Sequence, residues 1–189
     1  MNYSTIHERM MRYVFLQTEL LLNDGIKELS EYDIQSMIFA FFRSRQEKYG
    51  IKEATRESHG KTDIVVNLET GESIYLEIKT YFKKHESLKP VHFNDDLFKL
   101  ANDINKVNSR AYFILAGTAD KLTEAKIAKY DYLKAKRDKK RYWTTYNGTK
   151  PLKYSAKNKA EKFSIRIRPS HGEYYGKSRI WSWEVLPAK

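Results

Sequence analysis

The sequence predicts an α/β domain in which a mixed β-sheet is flanked by helices. Along the chain, segments with apolar residues at helical spacing alternate with short strand-like stretches, and this order is typical of a layered α/β domain. The predicted helices cover residues 5–22, 30–48, 94–107 and 123–137, and the predicted strands cover residues 51–57, 63–68, 73–82, 110–116, 163–168 and 179–186.

Helix ends are predicted from capping residues. Thr5 with Glu8 three positions later predicts a capping box for the first helix. Ser30 with Asp33 predicts the start of the second helix, and Gly50 predicts its end. Glu31 falls in the first turn of that helix, at the edge of its apolar stripe. Two roles stay open for it, a favourable interaction with the helix dipole or a side chain directed into a site.

Chain length and composition restrict the class of protein. The 189 residues suit one domain with an elaboration. We expect a core with an N-terminal helix over residues 1–120, and a basic, aromatic-rich extension over residues 121–189 that packs on the core. The chain has no cysteine, which excludes zinc ribbons, iron–sulfur clusters and thiol nucleophiles. A cytoplasmic location is expected, because no apolar segment resembles a signal or membrane span.

Charge is distributed unevenly. Residues 1–120 hold 16 Lys and Arg against 18 Asp and Glu, whereas residues 121–189 hold 19 against 6. This asymmetry predicts a polyanionic partner that binds mainly through the C-terminal third. We expect nucleic acid, more specifically DNA, and no membrane.

A β-hairpin is predicted between residues 63 and 79. Glu69, Thr70 and Gly71 fit a three-residue loop in which the glycine takes the left-handed conformation. In that register the numbers of paired residues sum to 140, so Asp63 lies opposite Glu77. The alternation of side chains then places Lys79 on the same face as both acids.

Two carboxylates at cross-strand distance repel each other unless a proton or a cation lies between them. An acidic pair beside an ammonium group suits Mg²⁺, for which Mn²⁺ can substitute. The alternative is a cross-strand salt bridge on an exposed sheet face, in which Glu77 and Lys79 only aid solubility. Tyr75 shares this face and could either stack on a base or cover the sheet.

The hairpin, with the helix before it and the helix and strand after it, resembles the PD-(D/E)xK nuclease superfamily. Asp63 matches the hairpin aspartate of that superfamily, and Glu77-Ile78-Lys79 matches its E-x-K motif. The resemblance covers residues 30–117 and implies a restriction-endonuclease-like fold and metal-dependent hydrolysis of phosphodiester bonds. Thr62 departs from the pattern, because it replaces the proline of the motif.

The resemblance also implies roles for individual residues. Asp63, Glu77 and the Ile78 carbonyl would bind the metal, Glu31 would support a ligand water or a second ion, and Lys79 would act on the nucleophile. The helix after the hairpin lacks the Gln-x-x-x-Tyr of the exonuclease branch, which favours an endonuclease. A homodimer stays open, since nucleases that cut both strands are often dimers.

Residues that bind nucleic acid are expected near the hairpin and in the C-terminal third. Cations can neutralise phosphates, and aromatic rings can stack on exposed bases. The candidates are Arg56, His59, Lys83, Lys84, Arg137, Lys139, Lys140, Arg141, Tyr142 and Trp143. Trp181 and Trp183 lie on one strand face and are expected in the core.

Two other classes of protein compete with the nuclease hypothesis. One is a non-catalytic nucleic-acid-binding module on the same fold. The other is a basic adaptor that binds an acidic protein. The first would retain the basic surface without activity, and the second would show no metal binding and no strong salt dependence with oligonucleotides.

Overall fold

The fold was described from a computed structural model. The structure describes residues 3–56, 62–83, 90–104, 108–123, 136–138, 141–143, 152–156, 159–163, 165–173 and 176–187.

Four helices are present in the described part of the chain. They are α1 (Tyr3–Asn23), α2 (Glu31–Arg43), α3 (Gln46–Tyr49) and α4 (Pro90–Asp103). The predicted capping box at Ser30 is confirmed, because the Ser30 hydroxyl accepts from Asp33 N and the Asp33 carboxylate accepts from Ser30 N at 2.7 Å. The prediction for Thr5 is wrong, since α1 is already helical at Tyr3.

Ten strands lie in the described residues. They are β1 (Ile51–Arg56), β2 (Ile64–Leu68), β3 (Ser73–Tyr81), β4 (Ser109–Thr118), β5 (Lys136–Asp138), β6 (Arg141–Trp143), β7 (Leu152–Ala156), β8 (Lys159–Phe163), β9 (Ile165–Glu173) and β10 (Ser178–Pro187). The predicted helix over residues 123–137 lies largely outside the described residues, and its last two positions belong to β5.

The molecule has the predicted α/β architecture with a mixed sheet. Six strands form that sheet in the order β1-β2-β3-β4-β10-β9. The β3–β4 pair is parallel and the other pairs are antiparallel. Strands β5 and β6, and strands β7 and β8, form two separate pairs.

The C-terminal strands continue the same sheet as the N-terminal segment. Because β10 pairs with β4 on one side and with β9 on the other, residues from the predicted extension share the sheet with the hairpin. The expected division at residue 120 stays a prediction.

The central strands of the sheet are buried on both faces. On one face the apolar side chains of the hairpin pack against α1 and α2, and this cluster includes Ile64, Val66, Leu76 and Ile78. On the other face α4 packs against a cluster that includes Tyr75, Phe113, Trp181 and Trp183. The expected burial of both tryptophans is confirmed. Tyr75 covers the sheet, with 9% of its surface exposed.

Candidate functional site

The β2–β3 hairpin has the predicted register. Ile64 pairs with Leu76 and Asn67 with Ser73, so each pair of residue numbers sums to 140. Gly71 has a φ of 82°, the left-handed conformation that the three-residue loop requires. The turn chemistry therefore fixes which side chains of the two strands meet.

Asp63 and Glu77 are both buried at the end of this hairpin. Asp63 lies directly before β2, and its Oδ2 accepts a hydrogen bond from the backbone N of Ile78 at 2.7 Å. Only 8% of Asp63 and 1% of Glu77 is exposed. Their side chains are close enough for the charge of Asp63 to raise the pKa of Glu77. The structure thus brings together the two acids that the hairpin register predicts.

Lys79 is held between two other elements. Its Nζ lies 3.3 Å from Glu31 Oε2 at the start of α2 and 3.4 Å from Asp96 Oδ2 on α4. Glu31 therefore directs its side chain towards the hairpin lysine. The first turn of α2, fixed by the Ser30 capping box, supplies this contact.

Helix α4 contributes two charged residues that the sequence analysis did not assign to the site. Lys99 Nζ lies 3.3 Å from Glu77 Oε1 and 3.4 Å from Glu77 Oε2. It also lies 3.8 Å from Asp96 Oδ1, three residues earlier on the same helix. Asp96 is 5% exposed. A signal was present in the sequence, because Asp96 falls inside the apolar stripe formed by Phe93, Leu97 and Leu100.

Burial makes the ionised carboxylates of this cluster costly. It raises the pKa of Asp63 from 3.8 to about 7, against the hydrogen bond from Ile78 N, which lowers it. Burial also raises the pKa of Glu77, and the neighbouring Asp63 and Asp96 add to the effect. The pKa of Asp96 is raised mainly by burial, although Lys79 and Lys99 oppose the change.

The two lysines respond to the same surroundings. Burial alone would lower the pKa of Lys79, but the Asp96 and Glu31 carboxylates outweigh it and raise that pKa. Lys99 behaves in the same way, since Glu77 and Asp96 outweigh the effect of burial. Both side chains are therefore cations at neutral pH.

The cluster holds more carboxyl groups than ammonium groups. Counted at their usual ionisation, Glu31, Asp63, Glu77 and Asp96 carry four negative charges against the two positive charges of the lysines. Two buried oxygens, Glu77 Oε1 and Asp96 Oδ2, have no hydrogen bond of good geometry among the described residues, although each lies beside an ammonium group, Lys99 Nζ at 3.3 Å and Lys79 Nζ at 3.4 Å respectively. This excess of carboxyl groups is balanced either by bound protons, as the raised pKa values of Asp63 and Glu77 indicate, or by a further cation.

The described side chains do not form a preorganised cluster of metal ligands. In that part of the chain, no three His, Asp or Glu residues converge in an arrangement that could hold a metal ion. The acids are instead distributed between two ammonium groups, with Glu77 on Lys99 and Glu31 on Lys79.

Thr62, which replaces the motif proline, has a structural role. It is 3% exposed, and its hydroxyl donates to Asp103 Oδ2 at the last residue of α4. This hydrogen bond ties the residue before Asp63 to the helix that carries Asp96 and Lys99.

The predicted nucleic-acid-binding residues near the hairpin have different positions. The Arg56 guanidinium lies 4.9 Å from the ring centroids of both Tyr32 and Phe39, so it stacks on α2. Lys83 is exposed, and its backbone carbonyl accepts a hydrogen bond from the Lys121 side chain. Arg56 therefore lies beside the exposed ring of Tyr32, and Tyr32 directly follows Glu31 in the sequence.

The remaining candidates lie in the C-terminal third or in the segments beside the hairpin. Arg137 pairs with Tyr142 in the β5–β6 ribbon, which also includes Arg141 and Trp143. Four candidates lie outside the described residues, namely His59, Lys84, Lys139 and Lys140.

Comparisons with protein-family models, with curated proteins and with solved structures gave no match to this chain. Among the described helices, none combines the length and the apolar character needed to cross a bilayer.

Proposed function

We propose that this chain is a metal-dependent nuclease with a restriction-endonuclease-like fold, and that it cleaves DNA internally. The observation that carries the proposal is the burial of Asp63 beside Glu77 at the end of the hairpin. Burying two acids side by side lowers stability, and ionisable groups perturbed in this way cluster at functional sites. Lys79, held by Glu31 and Asp96, supplies the ammonium group that phosphodiester hydrolysis needs next to the acids.

The residues present fit Mg²⁺ in kind. Mg²⁺ prefers carboxylate oxygens and keeps several waters, with Mn²⁺ as a substitute. The four carboxyl groups of the cluster exceed its two ammonium groups, and a divalent cation would balance them where protons otherwise do. Asp63, Glu77 and the Ile78 carbonyl would hold it, with Glu31 placed to support a ligand water or a second ion.

When bound, the cation would acidify a water molecule and neutralise charge on the phosphate. Lys79 would orient the attacking water or stabilise the developing anion, because its ammonium group is fixed by two carboxylates. The hydrogen bond from Ile78 N keeps Asp63 directed at this position. Preorganised groups of this kind need little rearrangement during the reaction.

A cleavage assay tests the proposal. The purified protein is incubated with supercoiled plasmid DNA and, separately, with single-stranded RNA, in Mg²⁺, Mn²⁺ or EDTA. We expect nicking or linearisation of the plasmid that needs the metal, and loss of at least about 100-fold in rate for Asp63→Asn and for Glu77→Gln. Glu53→Gln is the matched control, because Glu53 is an exposed acid on the neighbouring strand β1.

The outcomes separate the competing classes of protein. DNA binding without cleavage in any metal would indicate a non-catalytic module. Wild-type cleavage by Asp63→Asn would remove that residue from the mechanism. Degradation of RNA alone would replace DNA as the substrate.

Binding by the basic C-terminal third is tested separately. Neutralising Lys139, Lys140 and Arg141 should weaken oligonucleotide binding and flatten its salt dependence, since fewer counterions are released. The same triple variant should retain the metal requirement of cleavage. Binding that is independent of salt would instead favour the protein-adaptor hypothesis.

A further inference from the structure

Lys99 is a charged residue of the site for which the proposed mechanism has no use. It stands on α4 and contacts both carboxylate oxygens of Glu77, at 3.3 and 3.4 Å. Among the described residues, no other cation is paired with Glu77. The ammonium group of Lys99 therefore contacts both oxygens of Glu77, which are the atoms that would coordinate a metal ion.

The two lysines of the site differ in what holds them. Lys79 bridges Glu31 and Asp96 from the strand that carries Glu77, and 25% of its side chain is exposed. Lys99 projects from the helix that covers the strand, and 32% of its side chain is exposed. A flexible four-carbon stem on the exposed side of the cluster can turn to solvent without moving α4.

We propose that Lys99 is an internal counter-ion that pairs with Glu77 when no metal is present and is displaced when a divalent cation binds. This inference rests on the proposed function, because it assumes that Glu77 is a metal ligand. A divalent cation bound to Glu77 on this edge would lie close to the Lys99 ammonium group, and like charges at contact distance repel strongly in a buried site. Metal affinity is then set by competition between the ion and Lys99.

Removing Lys99 has two opposite consequences. The metal no longer has to displace an ammonium group, so it binds more tightly. Without metal, however, Glu77 is left as a buried acid with no cation beside it, which destabilises the fold. A residue with a purely structural role would show the second effect without the first.

Metal binding is measured by calorimetric titration of the full chain with Mn²⁺, and in parallel with Mg²⁺. The variants are Lys99→Met, Lys99→Arg, Glu77→Gln and the control Lys52→Met, which removes one exposed lysine from β1. We expect Lys99→Met to lower the Kd for Mn²⁺ about tenfold, equivalent to about 1.4 kcal/mol. Lys99→Arg should stay close to wild type, and Lys52→Met should change the Kd far less than Lys99→Met.

A second measurement covers the case in which Lys99→Met folds poorly. Urea denaturation is followed in EDTA and in a fixed Mn²⁺ concentration, and a folded-state ligand stabilises by an amount that rises with its affinity. Lys99→Met should be less stable than wild type in EDTA and should gain more from Mn²⁺ than wild type does.

The inference is overturned if wild type binds Mn²⁺ through Glu77 and Lys99→Met binds it equally or more weakly. Failure of the proposed function gives a different pattern. Wild type and Glu77→Gln would then bind Mn²⁺ equally weakly or not at all, and no variant would differ from Lys52→Met.

Discussion

Replacing Asp63 by Asn should change how the stability of the metal-free protein depends on pH. Asn retains a side-chain oxygen that can accept the hydrogen bond from Ile78 N, so the hairpin contact is kept. The substitution removes the ionisable group and places an amide NH2 where the second carboxylate oxygen was. Because Asp63 is 8% exposed, solvent screening of this charge is weak and its effect on folding is correspondingly large.

The sign follows from the raised pKa. Folded Asp63 has a pKa of about 7 against an ordinary value of 3.8, so between these pH values the folded chain holds a proton that the unfolded chain has released. The free energy of unfolding therefore falls as pH rises through this window and levels off above the folded pKa. Each full pH unit inside this window costs about 1.4 kcal/mol, and because Asp63 is half ionised at its folded pKa, about 2 kcal/mol is lost between pH 5 and pH 7.

Urea denaturation in EDTA at pH 5, 6, 7 and 8 tests this magnitude. Relative to Asp63→Asn, wild type should lose about 3 kcal/mol across the series, most of it below pH 7. Asp24→Asn, at an exposed aspartate after α1, is the control and should parallel wild type. Parallel curves for wild type and Asp63→Asn would refute the argument that burial of this carboxylate opposes its ionisation.

Two further substitutions test the local structure that positions the site. Ser30→Ala removes the capping box of α2 and should lower the free energy of unfolding by about 1 kcal/mol, measured by urea denaturation. An unchanged free energy would show that the cap is not needed to order Glu31. Gly71→Ala should lower the free energy of unfolding by about 1 to 2 kcal/mol, measured by thermal denaturation, because a φ of 82° is unfavourable for a residue with a side chain. Steric clash does not contribute, since no atom lies within 4 Å of the added carbon. An unchanged melting temperature would contradict the left-handed turn.

Local signals in the sequence were sufficient to predict the hairpin. Loop length and the position of Gly71 fix the register, and alternation along two short strands then places the apolar side chains on one face. The meeting of Asp63 with Glu77 follows from this geometry alone. The start of α2 was equally local, since Ser30 and Asp33 satisfy each other across one turn.

Contacts between distant elements could not be predicted in the same way. Asp96 and Lys99 reach the site only because α4 packs across the face that carries Glu77, and neither belongs to a recognised spacing. Asp96 could have been suspected, because an acid within an apolar stripe needs a partner. The place of β10 between β4 and β9 depends on long-range pairing, for which the pattern of a single strand carries no information.

The insertion of β10 beside β4 has a consequence for synthesis of the chain. β4 ends at Thr118 and β10 begins at Ser178, so about 60 residues are translated before the second strand exists. At about 5 to 20 residues per second, β4 has no β10 partner for roughly 3 to 12 seconds. Its middle, from Ala111 to Ala116, is entirely apolar apart from one tyrosine hydroxyl, which makes this nascent edge prone to pair with other chains. The yield of folded protein during expression should therefore depend on preventing contact between nascent chains until β10 pairs with β4.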